Sequence, residues 1–320
     1  MLRSVREILR DPSLELVESV QTLWSGYGEL VRIQSQASGA QFIVKSIDTR
    51  PGESHPRGWN SETGHLRKLR SYQVEAAFYA QYATLDAQCR VPQCVAHTES
   101  TEGSLLILED LHDAGFHIHR TEGGWTELKL AIRWLAYFHA KFIGHHGKDL
   151  WPTGTYWHLG TRQEELDTMP SSPFKINATA IDRALNCAQF QTLVHGDAKF
   201  ANLCFHSDGA RVAAVDFQYV GRGTGVKDLA CLAASCLAEP ELGKMKDKIV
   251  EEYLHQSLQA LNYYRQPIDF EQFKAEVHRL YPVAWADLYR FLLGWNPDSW
   301  KITPTMQHLA ESGLSQLNSD

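Results

Sequence analysis

The stretch HGDAKFAN, residues 195 to 202, followed by VDFQ at 215 to 218, decides the reading of this chain. Asp197, Lys199, Asn202 and Asp216 are the groups that phosphoryl transfer needs: a carboxylate to orient or deprotonate a hydroxyl, a cation facing the moving phosphoryl group, and an amide and a carboxylate to hold Mg²⁺ on a nucleotide. Asp197 ends the apolar strand TLVHGD, where a loop presents it. In a loose transition state the leaving phosphate carries most of the charge, so a carboxylate that accepts the proton late needs little pKa change. Asn202 and Asp216 offer hard oxygen ligands but bind Mg²⁺ weakly alone, so the metal is expected to arrive with the nucleotide. Lys199 is expected to reach the γ-phosphate.

Around this motif, LCFHSDGARVAAVDF reads as a hairpin turning at Asp208 and Gly209, which brings Asn202 and Asp216 to one end. Upstream, LELVESVQTLW (14 to 24), ELVRIQ (29 to 34) and QFIVKSI (41 to 47) alternate as three antiparallel strands joined at SGYG and SGA. Lys45 on the third strand and Glu75 on the helix LRKLRSYQVEAAFYAQYA (66 to 83) have the order of a phosphate-anchoring lysine and the carboxylate that holds it. Gly26 and Gly28 in SGYG are assigned to a phosphate loop on location, since they lie between the first two strands and upstream of Lys45. SLLILEDL (104 to 111) reads as a strand feeding a hinge whose backbone from Glu109 to Leu111 pairs with adenine. These features predict an N-terminal nucleotide-binding lobe over 1–110 and a C-terminal catalytic and substrate-binding lobe over 111–320.

The second half reads as mostly helical, with helices expected near 226–237, 241–262, 269–280 and 282–294. Asp269 and Gln272 are spaced as a capping box. Residues 144 to 178 read as one long connection of the kind that often carries function. Asp228 in GVKDLA reads as an N-terminal cap. The row Tyr281, Trp285, Leu288, Leu292 and Trp295 reads first as core. A cation box built from Trp285, Trp295 and Trp300 beside Asp287 and Asp298 is a second reading.

With 320 residues, 43% of them apolar, the chain can bury a large core, and its size suggests two lobes. A formal charge of −7 argues against a nucleic-acid or anionic-membrane binder. No window approaches a membrane span and the N-terminus lacks a signal-peptide core, so the chain reads as cytoplasmic. Cys89, Cys94, Cys187, Cys204, Cys231 and Cys236 include no CxxC pair and read as reduced, mostly buried thiols. No feature sets an oligomeric state.

HGDAKFAN, VDFQ, GVKDLA, Lys45 and Glu75 together resemble the aminoglycoside phosphotransferase and choline kinase superfamily over about residues 15 to 300. The Gln after DF and the KDLA block leading to Ser235 bring the chain closest to the ecdysteroid kinase-like, or CHK kinase-like, branch. Where that branch often reads HGDLW, Ala198 and Lys199 follow Asp197 here. The resemblance implies an α+β, bilobal protein kinase-like fold with an antiparallel N-lobe sheet plus helix and a mostly helical C-lobe. It places Asp197 as catalytic base, Asn202 and Asp216 at the metal, Lys45 at the phosphates and Glu75 as its partner. The expected activity is ATP- and Mg²⁺-dependent phosphorylation of a hydroxyl on a small molecule: a choline-like amino alcohol, an aminoglycoside-like sugar or a steroid- or lipid-like alcohol. A protein kinase-like activity is disfavoured because no APE-like activation segment follows VDFQ and GRGTGVKDLA comes almost at once, leaving little room for a peptide-docking loop. A non-catalytic nucleotide-binding regulatory module is disfavoured by the completeness of the residue set.

Overall fold

A computed structural model describes residues 1–23, 26–48, 62–100 and 103–317. Most of the loop expected from Pro51 to Gly64, and Ser25 of SGYG, lie outside the described residues. A helix not anticipated from the sequence, α1 (Leu2–Leu9), opens the chain. It is followed by β1 (Leu14–Thr22), β2 (Gly28–Ser35), β3 (Gln41–Asp48), α2 (Glu62–Gln81), β4 (Cys94–Glu99) and β5 (Gly103–Glu109). The strands form one antiparallel sheet in the order β1-β2-β3-β5-β4. Strand alternation gives the sheet two apolar faces. Val31, Ile33, Val44 and Ile107 pack with Val5 of α1 on one face, while Lys45, next to Val44, turns to the other face, where α2 lies.

The rest of the chain is mainly helical. It comprises β6 (Ile118–His119), α3 (Trp125–Lys141), α4 (Gln163–Thr168), α5 (Pro173–Ile176), α6 (Ala178–Asn186), β7 (Gln191–Val194), β8 (Leu203–Phe205), β9 (Val212–Ala214), β10 (Gly221–Thr224), α7 (Val226–Cys236), α8 (Glu241–Tyr263), α9 (Phe270–Trp295) and α10 (Pro304–Leu317). The expected hairpin is β8–β9, with Leu203 opposite Ala214. β7 pairs with β10 and carries His195 at its exit. Asp269 caps α9 by accepting from the Glu271 and Gln272 N–H groups, as its spacing predicts.

The two helices expected near 269–280 and 282–294 are one, running through Pro282. A proline inside a helix costs about 3 kcal/mol through its missing N–H. Burial of Tyr281, Trp285, Phe291 and Leu292 around it outweighs that, at about 1.5–3 kcal/mol for each large apolar side chain. Among the described residues no helix is long and apolar enough to cross a membrane. All six cysteines are free, and four of them are buried.

Candidate active site

Phe217 organises the site. It is fully buried and stacks on Phe78 of α2 with ring centroids 3.9 Å apart, and it also meets Trp134 and Phe138 of α3 and the His195 ring. Burying a phenylalanine contributes about 1.5–3 kcal/mol. That offsets the about 1–3 kcal/mol of a strained backbone at its neighbour Asp216, whose φ is +68°. Phe78 lies three residues past Glu75, so the contact that fixes Asp216 also fixes the Glu75 face of α2.

Lys45 Nζ donates to Glu75 Oε2 at 2.5 Å, and both side chains are buried. The same ammonium lies 3.9 Å from Asp216 Oδ1. Burial raises the Glu75 carboxyl above the ordinary range against the pull of Lys45. For Asp216 the balance reverses: burial works upward, but Lys45, Lys199 and Lys68 hold its pKa below the usual value.

The HGD turn is built by neighbours far away in sequence. Gly196 has φ +82°, and a Cβ there would lie 2.0 Å from the Tyr219 carbonyl oxygen, so only glycine fits. The His195 and Gly196 N–H groups both donate to Asp228, at 2.6 and 2.9 Å. Asp228 is fully buried and also meets His139 Nε2 at 3.1 Å. It therefore braces the turn; the N-cap position of α7 belongs to Gly225. His195 Nε2 faces the Val215 carbonyl at 3.0 Å while its Nδ1 accepts from the Asp197 N–H at 3.2 Å, which ties the two motifs together. Ser235 of α7 accepts from the Phe200 N–H.

On this turn Lys199 Nζ donates to Asp197 Oδ2 at 2.8 Å. Burial opposes its charge, but Asp197 and Asp216 hold the Lys199 pKa above the ordinary lysine value. Asn202 Nδ2 donates to the Asp197 carbonyl at 2.9 Å and to Oδ2 at 3.2 Å. Its carboxamide oxygen is thereby left for a cation. Asp216 Oδ1 accepts from Gln218 Nε2 at 2.7 Å. Asn202 Oδ1 and Asp216 Oδ2 have no hydrogen-bond donor among the described residues, and such an oxygen pair suits Mg²⁺ that keeps water and phosphate as its other ligands.

The remaining predicted residues separate. Gly28 has φ +132°, and a Cβ there would lie 1.9 Å from the Ser46 carbonyl oxygen; Gly26, φ +72°, has open space around it. Gly28 thus permits the close β2–β3 approach just ahead of Lys45. The Glu109 N–H is taken by the Gln93 carbonyl and the Leu111 carbonyl by the Phe116 N–H. The Leu111 N–H has no partner among the described residues. The cation box does not assemble. Trp285 and Asp287 are buried, and Asp287 is occupied by Trp157 Nε1 at 3.0 Å and Arg290 at 2.8 Å, whereas Trp300 is exposed. The carboxylate that box needed serves as an internal ion-pair partner.

The 144–178 connection instead supplies a wall beside Asp197. The Tyr156 N–H donates to the Gly196 carbonyl at 2.8 Å, and its ring meets Tyr219, Phe291 and Trp295 edge-on. Arg162 covers the Tyr156 ring at 4.3 Å and pairs with Glu165 at 2.7 Å, while Arg67 of α2 approaches the same Glu165 oxygen at 3.9 Å. Sequence reasoning flagged the connection but not these residues, because no local motif marks them.

No curated protein sequence matches the chain. Among solved structures, it is similar to a protein of Ralstonia eutropha JMP134 assigned as an aminoglycoside phosphotransferase, at 13% identity and TM-score 0.53, over 99% of this chain and 96% of the other. It is also similar to the Plasmodium vivax ethanolamine kinase, at 14% identity and TM-score 0.50, over 96% of this chain and 84% of the other. At these identities the likeness speaks for the fold, the kinase-like arrangement of an antiparallel sheet and a helical region. The profile of the phosphotransferase enzyme family matches residues 20–267, most of the chain, and the chain belongs to that family.

Proposed function

We propose that this phosphotransferase is an ATP- and Mg²⁺-dependent small-molecule kinase that phosphorylates a hydroxyl group. The observation that carries the reading is the convergence of the Lys45–Glu75 pair, Asp216 and the Asp197–Lys199–Asn202 cluster on one cleft, linked through Lys45 and Asp216. Residues 1–110 act as the nucleotide lobe, with Gly28 ahead of Lys45 and the free Leu111 N–H offered to adenine. Residues 111–320 act as the catalytic and acceptor lobe.

Asp197 orients the acceptor hydroxyl and takes its proton as the new O–P bond forms and the bond from the γ-phosphorus to the bridging oxygen breaks, releasing ADP. Lys199 leaves Asp197 to face the transferring phosphoryl group. Lys45, fixed by Glu75, holds the inner phosphates. Asn202 and Asp216 would hold a Mg²⁺ ion, whose charge would offset that of the phosphate oxygens. The wall of Tyr156, Tyr219 and Trp295 with Arg67 and Arg162 supports a neutral, ring- or chain-bearing alcohol over a cationic choline-like or aminoglycoside-like acceptor.

Replacing Asp197→Asn tests the assignment in a screen of alcohols for ATP-dependent phosphorylation. Transfer is expected to fall by about 10²- to 10⁴-fold with ATP binding retained. Turnover at the wild-type rate would remove Asp197 from this role.

A further inference from the structure

Lys68 has no part in the scheme above, yet it points into the same site. It lies on α2 two helical turns before Glu75, and therefore on the same face. Its ammonium donates to Gln218 Oε1 at 2.9 Å, and Gln218 Nε2 in turn donates to Asp216 Oδ1 at 2.7 Å. Lys45 and Lys68 flank one ring, with their ammonium groups 5.3 and 4.7 Å from the Tyr72 centroid. The Tyr72 hydroxyl is buried and has no hydrogen-bond partner among the described residues.

The charges of the cleft are unevenly matched. Lys45 is held by Glu75 and Lys199 by Asp197, whereas Lys68 has only a neutral amide within bonding distance among the described residues. Burial first, and Lys45 second, lower the Lys68 pKa to about 8, with Asp216 and Glu75 opposing. A crowded cation against an amide is a poor arrangement for stability, and one that anionic phosphate oxygens would relieve.

We propose that Lys68 is a third phosphate-binding cation of the cleft, which exchanges Gln218 for the terminal phosphate of a bound nucleoside triphosphate. This rests on the kinase reading above. The Ser71 hydroxyl lies 3.2 Å from Gln218 Oε1 and 2.7 Å from the Lys68 carbonyl, so its one proton is shared between the two and can turn toward Gln218 when Lys68 leaves. Gln218 keeps its bond to Asp216 throughout, so the Asp216 carboxylate stays in register while the lysine moves.

The test compares Lys68→Met and Lys68→Arg with the wild type, using calorimetric titration with ATP and with ADP in the presence of Mg²⁺ and thermal unfolding without nucleotide. Lys68→Met is expected to weaken ATP binding by about 10- to 100-fold and ADP binding by less than about threefold, with Lys68→Arg recovering most of the loss. The nucleotide-free variant should unfold at or above the wild-type temperature, since it loses a crowded charge and keeps the Ser71 contact. Equal weakening of ATP and ADP, unchanged ATP binding, or a destabilised nucleotide-free Lys68→Met protein with normal ATP-over-ADP preference would each overturn the assignment. A wild type that binds neither nucleotide would overturn the kinase reading as well.

Discussion

Asp228 supplies a sharp test of how the HGD turn is held. Its carboxylate is the acceptor for two consecutive buried N–H groups, those of His195 and Gly196, and it also meets His139 Nε2. In Asp228→Ala both N–H groups lose their acceptor, at about 1–3 kcal/mol each, while removal of a buried charge returns part of that cost. The net loss is about 1–4 kcal/mol. Asp228→Asn keeps one acceptor oxygen but sets an NH₂ against the other N–H, so about half of the loss is expected. Asp228→Ser separates this brace from a helix cap. A serine at a cap recovers all but a few tenths of a kcal/mol, whereas its single short hydroxyl cannot accept from both N–H groups.

Equilibrium urea unfolding followed by tryptophan fluorescence reads the stability order, expected as wild type, then Asn, then Ser, then Ala. Steady-state assays at saturating ATP read the consequence for Asp197, which follows Gly196 directly. A displacement near 1 Å at the reacting group costs about 10²-fold in turnover, so kcat should fall more than ATP affinity. If Asp228→Ala unfolds within about 0.5 kcal/mol of wild type, or if Asp228→Ser restores both stability and turnover, Asp228 does not brace the turn through paired N–H donors.

Two further outcomes follow from the geometry. Gly28→Ala should lose about 1–3 kcal/mol of stability and weaken ATP binding, because its Cβ would press on the Ser46 carbonyl, whereas Gly26→Ala faces open space and should lose about 1 kcal/mol, read from denaturation midpoints. His158 has its pKa lowered to about 4, by burial first and by Lys227 second. The unfolded chain, with an ordinary value near 6.5, takes up a proton that the folded chain refuses. Stability present above about pH 6.5 is therefore lost as pH falls toward 4, by up to about 3 kcal/mol. Asp182, raised by burial and by Asp287 and 3.7 Å from His158 Nε2, takes up a proton in the acid range and reduces that loss. His158→Gln should flatten the profile of unfolding free energy between pH 6.5 and 4; an unchanged slope would refute the assignment.

The parts of the site that were legible in sequence are those whose chemistry is local. Asp197, Lys199 and Asn202 fall within six residues, and Asp216 is joined to them by a single hairpin. Lys45 and Glu75 needed only a strand followed by a helix. Asp228 was visible as a residue but not as a brace, because its partners lie more than thirty residues upstream and its local setting resembles a helix start. The same holds for Phe78 and Phe217, ordinary core residues by pattern, whose stacking fixes the relation of α2 to Asp216. Helix α9 shows the limit of local rules in the other direction. Pro282 reads as a break, and only burial on both sides of it keeps the helix continuous. Strand β4 escaped for a simpler reason: in CVAHTE no residue is fully buried, so apolar alternation leaves little trace.

The ion pairs of the cleft also constrain the order of events under the proposed chemistry. Asp197 Oδ2 is engaged by both Lys199 and Asn202, so a hydroxyl acceptor that needs that oxygen competes with two donors. Asn202 is tied by a second bond to the Asp197 backbone carbonyl and is buried, whereas the Lys199 side chain is 39% exposed and makes one such contact. Lys199 is thus the donor that yields. Its withdrawal leaves an ammonium held above the ordinary lysine pKa without its carboxylate partner, a state that a nearby γ-phosphate compensates. Binding of ATP should therefore release Asp197 for the acceptor, giving acceptor affinity that rises when the nucleotide is bound. In Lys199→Met that coupling should disappear, with acceptor affinity the same in the presence and absence of a non-hydrolysable ATP analogue. Persistence of the coupling would show that Lys199 does not guard the base.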